Sequence, residues 1–213
     1  MFYKDSDQVY RVRELDSLAW LVHGFGTRQA DIPGLFAQLA TLKQIHSATC
    51  VAAAGRSGVL AKGDALLEDT AGSVVAVKTA DCIPILLIDD RHRAVAAVHA
   101  GWRGTVARIV QNAIGDMRAR FGTLPAELHA AIGPGIGRCC YEVGPEVAVQ
   151  FGGQGRGHID LPETNRRQLL EGGVASERIY ASDLCTMCHP DEFHSFRRDR
   201  EAAGRLYSFA GVR

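Results

Sequence analysis

The chain has 213 residues, which is enough for one sizeable hydrophobic core, and its length does not require a second domain. Lysine plus arginine and aspartate plus glutamate each number 24, so no net positive charge favours nucleic acid and no acidic excess favours a disordered tail. We therefore expect a small-molecule partner.

The N-terminal residues predict neither export nor membrane insertion. Charged side chains stand where a signal peptide needs an apolar stretch, and no apolar run approaches the roughly 18 residues that span a bilayer. Six cysteines, two of them adjacent and two in a C-x-x-C motif, do not resemble a secreted disulfide framework. We expect a cytoplasmic protein with reduced thiols that binds no membrane and no nucleic acid; its oligomeric state is left open.

Strands and helices alternate along the chain without an evident linker or repeat. Short apolar runs bounded by polar residues predict strands buried on both faces, at 74–77, 83–88, 94–98 and 128–132. Apolar residues at helical spacing predict the clearest helix from near Thr105 to Met117, and shorter helices follow at 145–151 and 165–170. Gly172 and Gly173 end the last of these. The pattern predicts one α+β domain.

Two histidines and a cysteine, His46, Cys82 and His99, each lie in a polar or small-residue break at the edge of an apolar run. Two imidazoles and a thiolate are a good ligand set for zinc, and three ligands leave a position for water or substrate. Because the three residues are far apart in sequence, a buried cysteine with two unrelated histidines is the alternative.

The residues after His99 predict an anion site. Gly101, Trp102, Arg103 and Gly104 form a small-residue turn that leads into the helix near Thr105. Free amides at a helix start, with an arginine beside them, could hold phosphate next to the metal. The alternative is a tight turn with Trp102 packed into the core.

The glycine-rich segment 133–137 follows a predicted strand, but it does not predict a dinucleotide site. Its order is G-x-G-x-G, Pro134 removes an amide donor, and no amphipathic helix follows directly. Backbone could still approach a ligand closely there, with Arg138 adding charge. Cys139, Cys140 and Tyr141 are candidates for lining a pocket, although at least one of the adjacent cysteines is expected to pack in the interior.

A C-x-x-C motif near the C-terminus has the form of half a zinc knuckle. Cys185, Cys188, His189 and His194 could supply four ligands, but His189 is adjacent to Cys188, which is poor geometry for joint chelation. A redox role lacks the thioredoxin-like context. We interpret this motif and the basic segment after it as structural elements near the active site.

Several motifs together resemble the multicopper polyphenol oxidase or laccase-like family, whose members are now regarded as zinc-dependent purine nucleoside phosphorylases. The resemblance runs from about residue 23 to about residue 207. The motifs are Gln44-Ile45-His46, Gly63-Asp64-Ala65-Leu66, Lys78-Thr79-Ala80-Asp81-Cys82-Ile83-Pro84, His99-Ala100-Gly101-Trp102-Arg103-Gly104-Thr105, Ile132-Gly133-Pro134-Gly135-Ile136, Cys139-Cys140-Tyr141-Glu142-Val143-Gly144, Asn165-Arg166-Arg167-Gln168-Leu169 and Cys185-Thr186-Met187-Cys188.

The resemblance implies two mixed β-sheets between helical layers (α/β/β/α) and a Zn²⁺ held by His46, Cys82 and His99, with Cu²⁺ by substitution. It implies phosphorolysis of adenosine, inosine or methylthioadenosine, with Arg103 positioning phosphate. The same zinc could support adenosine deamination, with Asp81 or Asp64 as proton carrier, unless Asp81 only orients a histidine. The candidates for substrate binding are Arg28, Gln44, Asp64, Arg103, Arg138 and Tyr141.

The chain departs from the family between Arg28 and Gln44, where only about fifteen residues stand in place of a longer, asparagine-containing loop. We expect part of the substrate cover to be absent there.

Two other functions stay open. Copper-dependent polyphenol oxidation normally needs many more histidines in His-x-His pairs, and none of the eight histidines has that spacing. A hydrolase or amidase acting on peptidoglycan precursors would use Cys82 as nucleophile and His99 as base.

Overall fold

The computed structural model describes all 213 residues, and its core is built on two large β-sheets. The strands of the first sheet are β1 (Phe2–Lys4), β2 (Val9–Val12), β3 (Leu21–Gly26), β4 (Leu39–Lys43), β6 (Gly58–Lys62), β8 (Val74–Thr79) and β15 (Leu206–Val212). Those of the second are β5 (Cys50–Ala52), β7 (Ala65–Glu68), β9 (Ile83–Asp89), β10 (Ala94–Ala100), β11 (His129–Ile132) and β14 (Ile179–Ala181), while β12 (Glu142–Val143) and β13 (Gly157–His158) form a separate hairpin. The first sheet has the strand order β1-β2-β3-β15-β8-β4-β6, and the second has the order β14-β11-β9-β10-β7-β5.

Six α-helices complete the fold: α1 (Ile32–Leu35), α2 (Trp102–Val106), α3 (Ile109–Phe121), α4 (Pro145–Ala148), α5 (Leu161–Glu171) and α6 (Phe196–Asp199). No helix combines the length and the apolar character that crossing a bilayer would require.

The apolar residues of the central strands form the layers of the fold. Successive side chains on a strand point to opposite faces, so on β9 Leu86 and Ile88 pack between the sheets while Ile85 and Leu87 pack toward α3 and α5. On the outer face of the first sheet, Ile32 of α1 joins a smaller apolar cluster. The resulting order of helices, sheet, sheet and helix confirms the predicted α/β/β/α architecture.

The four predicted strands are confirmed with slightly shifted ends, as β8, β9, β10 and β11. The apolar runs did not indicate the seven strands before Val74, which are short and often exposed on one side. The first sheet is therefore much larger than sequence periodicity alone predicts.

The predicted helix near Thr105 is wrong in its start. The helical conformation begins at Trp102 as α2 and is interrupted at Arg108, whose backbone is left-handed (φ 60°), before α3 begins at Ile109. The predicted helix 165–170 also begins earlier, at Leu161, because the Asp160 carboxylate caps it by accepting a hydrogen bond from the Glu163 amide at 2.9 Å.

Candidate active site

His46, Cys82 and His99 lie together although they are far apart in sequence. One ligand atom from each, a ring nitrogen or the Sγ sulfur, lies within 4.8 Å of the other two. The two imidazole rings meet edge to face, with their centroids 4.9 Å apart. We call this group the His–Cys–His site.

The site forms where the two sheets meet at one end. His46 follows β4 of the first sheet, and Cys82 lies in the turn that leads from β8 of the first sheet to β9 of the second. His99 lies near the end of β10, opposite Pro84 of β9. Each residue is therefore fixed by a strand end, and His99 is almost fully buried (3% exposed).

Asp64 holds two of these elements in place from beneath. Its Oδ1 lies 2.9 Å from Nδ1 of His99 and accepts a hydrogen bond from the His46 amide at 3.0 Å. Its Oδ2 accepts hydrogen bonds from the amide and the hydroxyl of Ser47, both at 2.7 Å. Because Nδ1 of His99 is engaged in this way, Nε2 is the ring nitrogen left for the site.

The hydrogen bonds around Asp64 and Cys82 favour the ionised forms of the carboxyl and the thiol. Burial opposes ionisation of Asp64, but hydrogen bonds from His99 and Ser47 lower its pKa to about 2. Burial likewise opposes ionisation of Cys82, and hydrogen bonds from His46 and His99 outweigh it and lower the thiol pKa to about 6. A thiolate at neutral pH is the form that a metal ligand or a nucleophile requires.

Gly101 leaves room beside the sulfur. A Cβ atom at this position would lie 2.9 Å from Sγ of Cys82 and 3.2 Å from Cδ2 of His46. The donor set and this close approach both fit a zinc ion with three protein ligands and one open position.

The His–Cys–His site opens into a cavity of about 730 Å³. The wall contains three aromatic side chains and four cationic ones, which are Trp102, Tyr141, Phe196, Lys78, Arg197, Arg200 and Arg205. Aromatic faces with several cations are a suitable lining for a planar base and an anion. Of these seven residues, only Tyr141 was named from the sequence as a lining candidate, although the basic segment after the C-x-x-C motif was placed near the site.

Comparison with known proteins places the chain in a family. Residues 27–213 match the family model described as multi-copper polyphenol oxidoreductase laccase. The chain belongs to this laccase-like family.

Relatives of this laccase-like chain carry names from purine metabolism. It is 39% identical to a purine nucleoside phosphorylase of Deinococcus radiodurans over 81% of this chain and 70% of the relative. It is 43% identical to a purine nucleoside phosphorylase of Bacteroides thetaiotaomicron, over 68% of this chain and only 59% of the relative's length. Adenosine deaminase RL5, from an unknown prokaryote, is 38% identical over 68% of this chain and 60% of the relative.

The crystal structure of YlmD from Geobacillus stearothermophilus has the same fold. It matches with a TM-score of 0.90 and 28% sequence identity, over 100% of this chain and 98% of that chain.

Asp81 and Gln44 line the cavity, but both are engaged in bonds that hold its wall. The Asp81 carboxylate accepts hydrogen bonds from the Thr186 hydroxyl (2.7 Å) and the Arg197 amide (2.6 Å). The Gln44 amide pairs with the backbone of Lys78 in both directions, at 2.7 and 2.8 Å. These contacts favour positioning roles.

Tyr141 faces the cavity, with the guanidinium of Arg197 5.2 Å from its ring centroid. Burial, together with the charge of Cys82, raises the pKa of Tyr141 to about 12. The phenol is therefore a hydrogen-bond donor at neutral pH.

The four other predicted substrate contacts lie elsewhere in this laccase-like fold. Arg103 is exposed and stacks on Trp102 at 4.3 Å, outside the cavity lining. Arg28 donates to the carbonyl of Pro190 at 2.7 Å, and Arg138 lines a separate cavity of about 440 Å³. Asp64 is fully buried beneath the His–Cys–His site, so it supports the site without lining the cavity.

The ligand set that sequence analysis considered and disfavoured, Cys185, Cys188, His189 and His194, does not come together in the structure. The sulfurs of Cys185 and Cys188 lie within 4.8 Å of those of Cys139 and Cys140, and neither histidine joins this group. The ring of His189 packs edge to face on Phe193, while that of His194 packs against Gly204.

Proposed function

We propose that this chain is a zinc-dependent purine nucleoside phosphorylase. The observation that carries the proposal is a three-ligand His–Cys–His site at the wall of a cavity lined by both aromatic and cationic side chains. The names of the relatives from Deinococcus radiodurans and Bacteroides thetaiotaomicron support the same activity. His46, Cys82 and His99 would hold the zinc, which would supply Lewis-acid stabilisation of developing negative charge.

In the proposed reaction, a phosphate oxygen attacks the ribose anomeric carbon, and the bond from that carbon to the purine nitrogen breaks. The bonding electrons leave with the base, which then takes a proton, and ribose 1-phosphate is formed. The cationic side chains of the cavity, with Arg197 and Arg205 as leading candidates, would bind phosphate by charge-assisted hydrogen bonds. Trp102 and Tyr141 would contact the purine, and the Tyr141 hydroxyl would donate to it.

In this scheme, the buried carboxylates of Asp64 and Asp81 position other groups and do not contact the substrate. Asp64 would orient the Nε2 atom of His99 toward the metal, and Asp81 would hold the backbone that carries Arg197. We retain Arg103 as a second candidate for phosphate, acting from the outer rim beside Trp102. The short segment between Arg28 and Gln44 would leave the cavity less covered than in longer relatives.

Phosphate dependence tests the proposal. Adenosine and inosine are incubated with zinc-loaded protein, with and without phosphate, and free base and ribose 1-phosphate are quantified by chromatography. We expect cleavage only with phosphate. Release of base that is indifferent to phosphate would overturn the proposal.

Arginine variants test where phosphate binds. Arg197→Ala and Arg205→Ala are expected to raise the KM for phosphate by roughly 10- to 100-fold, since each loses a charge-assisted contact. Arg167→Ala on α5, which pairs with Glu163 at 3.0 Å, is the matched control and should leave that KM unchanged. Comparison with Arg103→Ala decides whether phosphate is bound inside the cavity or at the rim.

Adenosine deamination is a second candidate activity, favoured by the relative named adenosine deaminase. Water would attack the purine ring carbon that bears the amino group, and ammonia would leave. This reaction needs no phosphate, so ammonia release should be insensitive to phosphate and to Arg197→Ala. Inosine formed from adenosine without phosphate is the measurement.

The two remaining alternatives make different predictions about metal. A Cys82 nucleophile with His99 as base predicts that metal-free wild-type protein hydrolyses peptidoglycan precursors, and that Cys82→Ala loses this hydrolysis without any change in zinc content. Polyphenol oxidation predicts activity only after copper loading. The proposal predicts zinc in protein purified without added metal, and its loss from the His–Cys–His site in Cys82→Ala. We further propose a cytoplasmic location, which the six free cysteines support.

A further inference from the structure

Four cysteines outside the His–Cys–His site form a second group of potential ligands. Cys139 and Cys140 lie in the turn after the glycine-rich segment, and, unlike the adjacent pair Cys188 and His189, both direct their ligand atoms to the same point. Cys185 and Cys188 lie in the C-x-x-C turn. All four sulfurs lie within 4.8 Å of one another. We call them the cysteine cluster, and we propose that it binds a second, structural Zn²⁺ as a tetrathiolate.

The separations of the sulfur atoms fit a metal centre. Four sulfurs about 2.3 Å from a tetrahedral zinc lie about 3.8 Å from one another. The Sγ atom of Cys188 is 3.7 Å from that of Cys139 and 3.4 Å from that of Cys140. Four thiols converging on one point, without a bond between any two of them, are the donor arrangement of closed zinc sites.

The backbone around the cluster is shaped for sulfur. The Gly137 amide donates a hydrogen bond to Sγ of Cys185 at 3.3 Å, which stabilises negative charge on that sulfur. The carbonyl of Cys185 accepts from the amides of Cys188 and His189, at 3.1 and 3.2 Å, and so closes the C-x-x-C turn. A Cβ at Gly137 would lie 3.3 Å from Sγ of Cys139, so glycine keeps that space open.

The cluster joins the two segments that form one wall of the active-site cavity. Tyr141 follows Cys140 directly, and Thr186, inside the C-x-x-C turn, donates to Asp81 beside Cys82. The Thr186 amide also bonds to the carbonyl of Gly135 at 3.0 Å. A zinc ion there would hold Tyr141 and the segment carrying Arg197 in fixed positions, with no open position for substrate.

Metal counting tests the proposal on the full chain. Protein is purified under reducing conditions without added metal, and zinc is measured by elemental analysis and native mass spectrometry. We expect two zinc ions per wild-type chain and one in Cys82→Ala. Cys50→Ala, which changes a cysteine outside both groups, should keep two. Cys139→Ser/Cys188→Ser should retain only the ion of the His–Cys–His site.

Cobalt substitution of the Cys82→Ala protein gives a readout that does not depend on folding of a cluster variant. We expect the intense sulfur-to-cobalt charge-transfer bands and tetrahedral ligand-field bands of a four-thiolate site. Cys82→Ala protein without zinc and without these bands would overturn the proposal, as would a mass deficit that shows disulfides within the cluster, or iron in place of zinc. Because Cys82→Ala removes the other site, failure here is distinct from failure of the proposed phosphorylase.

Discussion

The His–Cys–His site and the cysteine cluster are built in opposite ways. Strand ends and the buried Asp64 hold the first, so its ligands are positioned by the hydrophobic core before any metal binds. Turns hold the second, and two of its four cysteines are exposed. The open site is therefore expected to be preorganised, while the closed cluster should depend on its ion for local order.

The first sheet contains a buried histidine, His23, that should make the stability of the strand framework depend on pH. His23 on β3 is buried, its Nε2 accepts a hydrogen bond from the Val12 amide at 3.1 Å, and burial beside Arg11 lowers its pKa from 6.5 to about 4. The unfolded chain therefore binds a proton between pH 6.5 and about 4 that the folded chain does not, and stability falls as pH falls through this window. Above this window, the lowered pKa of His23 contributes about 3 kcal/mol to the free energy of unfolding.

Urea unfolding at several pH values in this window is the measurement. His23→Gln cannot titrate, so its free energy of unfolding should fall less on acidification than that of the wild type. Equal slopes for the two proteins would show that His23 does not couple the first sheet to pH.

Asp64→Asn should distinguish the two metal sites. The asparagine side chain has only one acceptor oxygen, so it cannot accept all the hydrogen bonds that the Asp64 carboxylate accepts from residues 45–47 and His99. We expect zinc affinity at the His–Cys–His site to fall by roughly 10- to 100-fold, with the cysteine cluster unaffected. Competition with a chromophoric chelator measures both affinities.

Glu68→Gln is the matched control for that variant. Glu68 is equally buried and accepts hydrogen bonds from the amides of Gly55, Asp69 and Thr70, all at 2.9 Å, but it does not contact the site. If Glu68→Gln weakened zinc binding as much as Asp64→Asn, the effect of Asp64 would be one of general stability.

The smallest effect is expected from Gly101→Ala. The backbone of Gly101 (φ −74°) accepts alanine, so the cost comes only from crowding Cys82 and His46. We expect about 1 kcal/mol, or roughly fivefold weaker zinc binding. Gly115→Ala in α3, where no atom lies within 4 Å of the new Cβ, should leave zinc binding unchanged and stabilise the helix. If Gly101→Ala bound zinc as tightly as the wild type, Cys82 and His46 would have to shift to accommodate the methyl group at no cost to zinc binding.

The fold was predictable where burial is continuous along the chain. The runs at β8, β9 and β10 are apolar on both faces, so each run identifies a strand by itself. The break between α2 and α3 was not predictable, because an arginine gives no signal for the left-handed conformation that Arg108 adopts.

The candidate site was likewise predictable only in part. The His–Cys–His group was predicted from sequence motifs that resemble those of a known family. The spacing of the three residues alone gave only weak support for a metal site. The pairing of Cys139 and Cys140 with the C-x-x-C motif was missed because contacts between distant turns leave no local pattern. Arg103 was favoured for its neighbours in sequence, whereas the cavity takes its cations largely from the segment 197–205.

Strand β15 lies in the middle of the first sheet, between β3 and β8, although it is the last strand in chain order. Until it is inserted, β1-β2-β3 and β8-β4-β6 are two separate ribbons with open edges. The sheet that carries β4 and β8 toward His46 and Cys82 is therefore completed by a long-range event. In kinetic terms, assembly of the active site should be a late and slow step of folding, set by the entropy of bringing Leu206–Val212 back to strands formed far earlier in the chain.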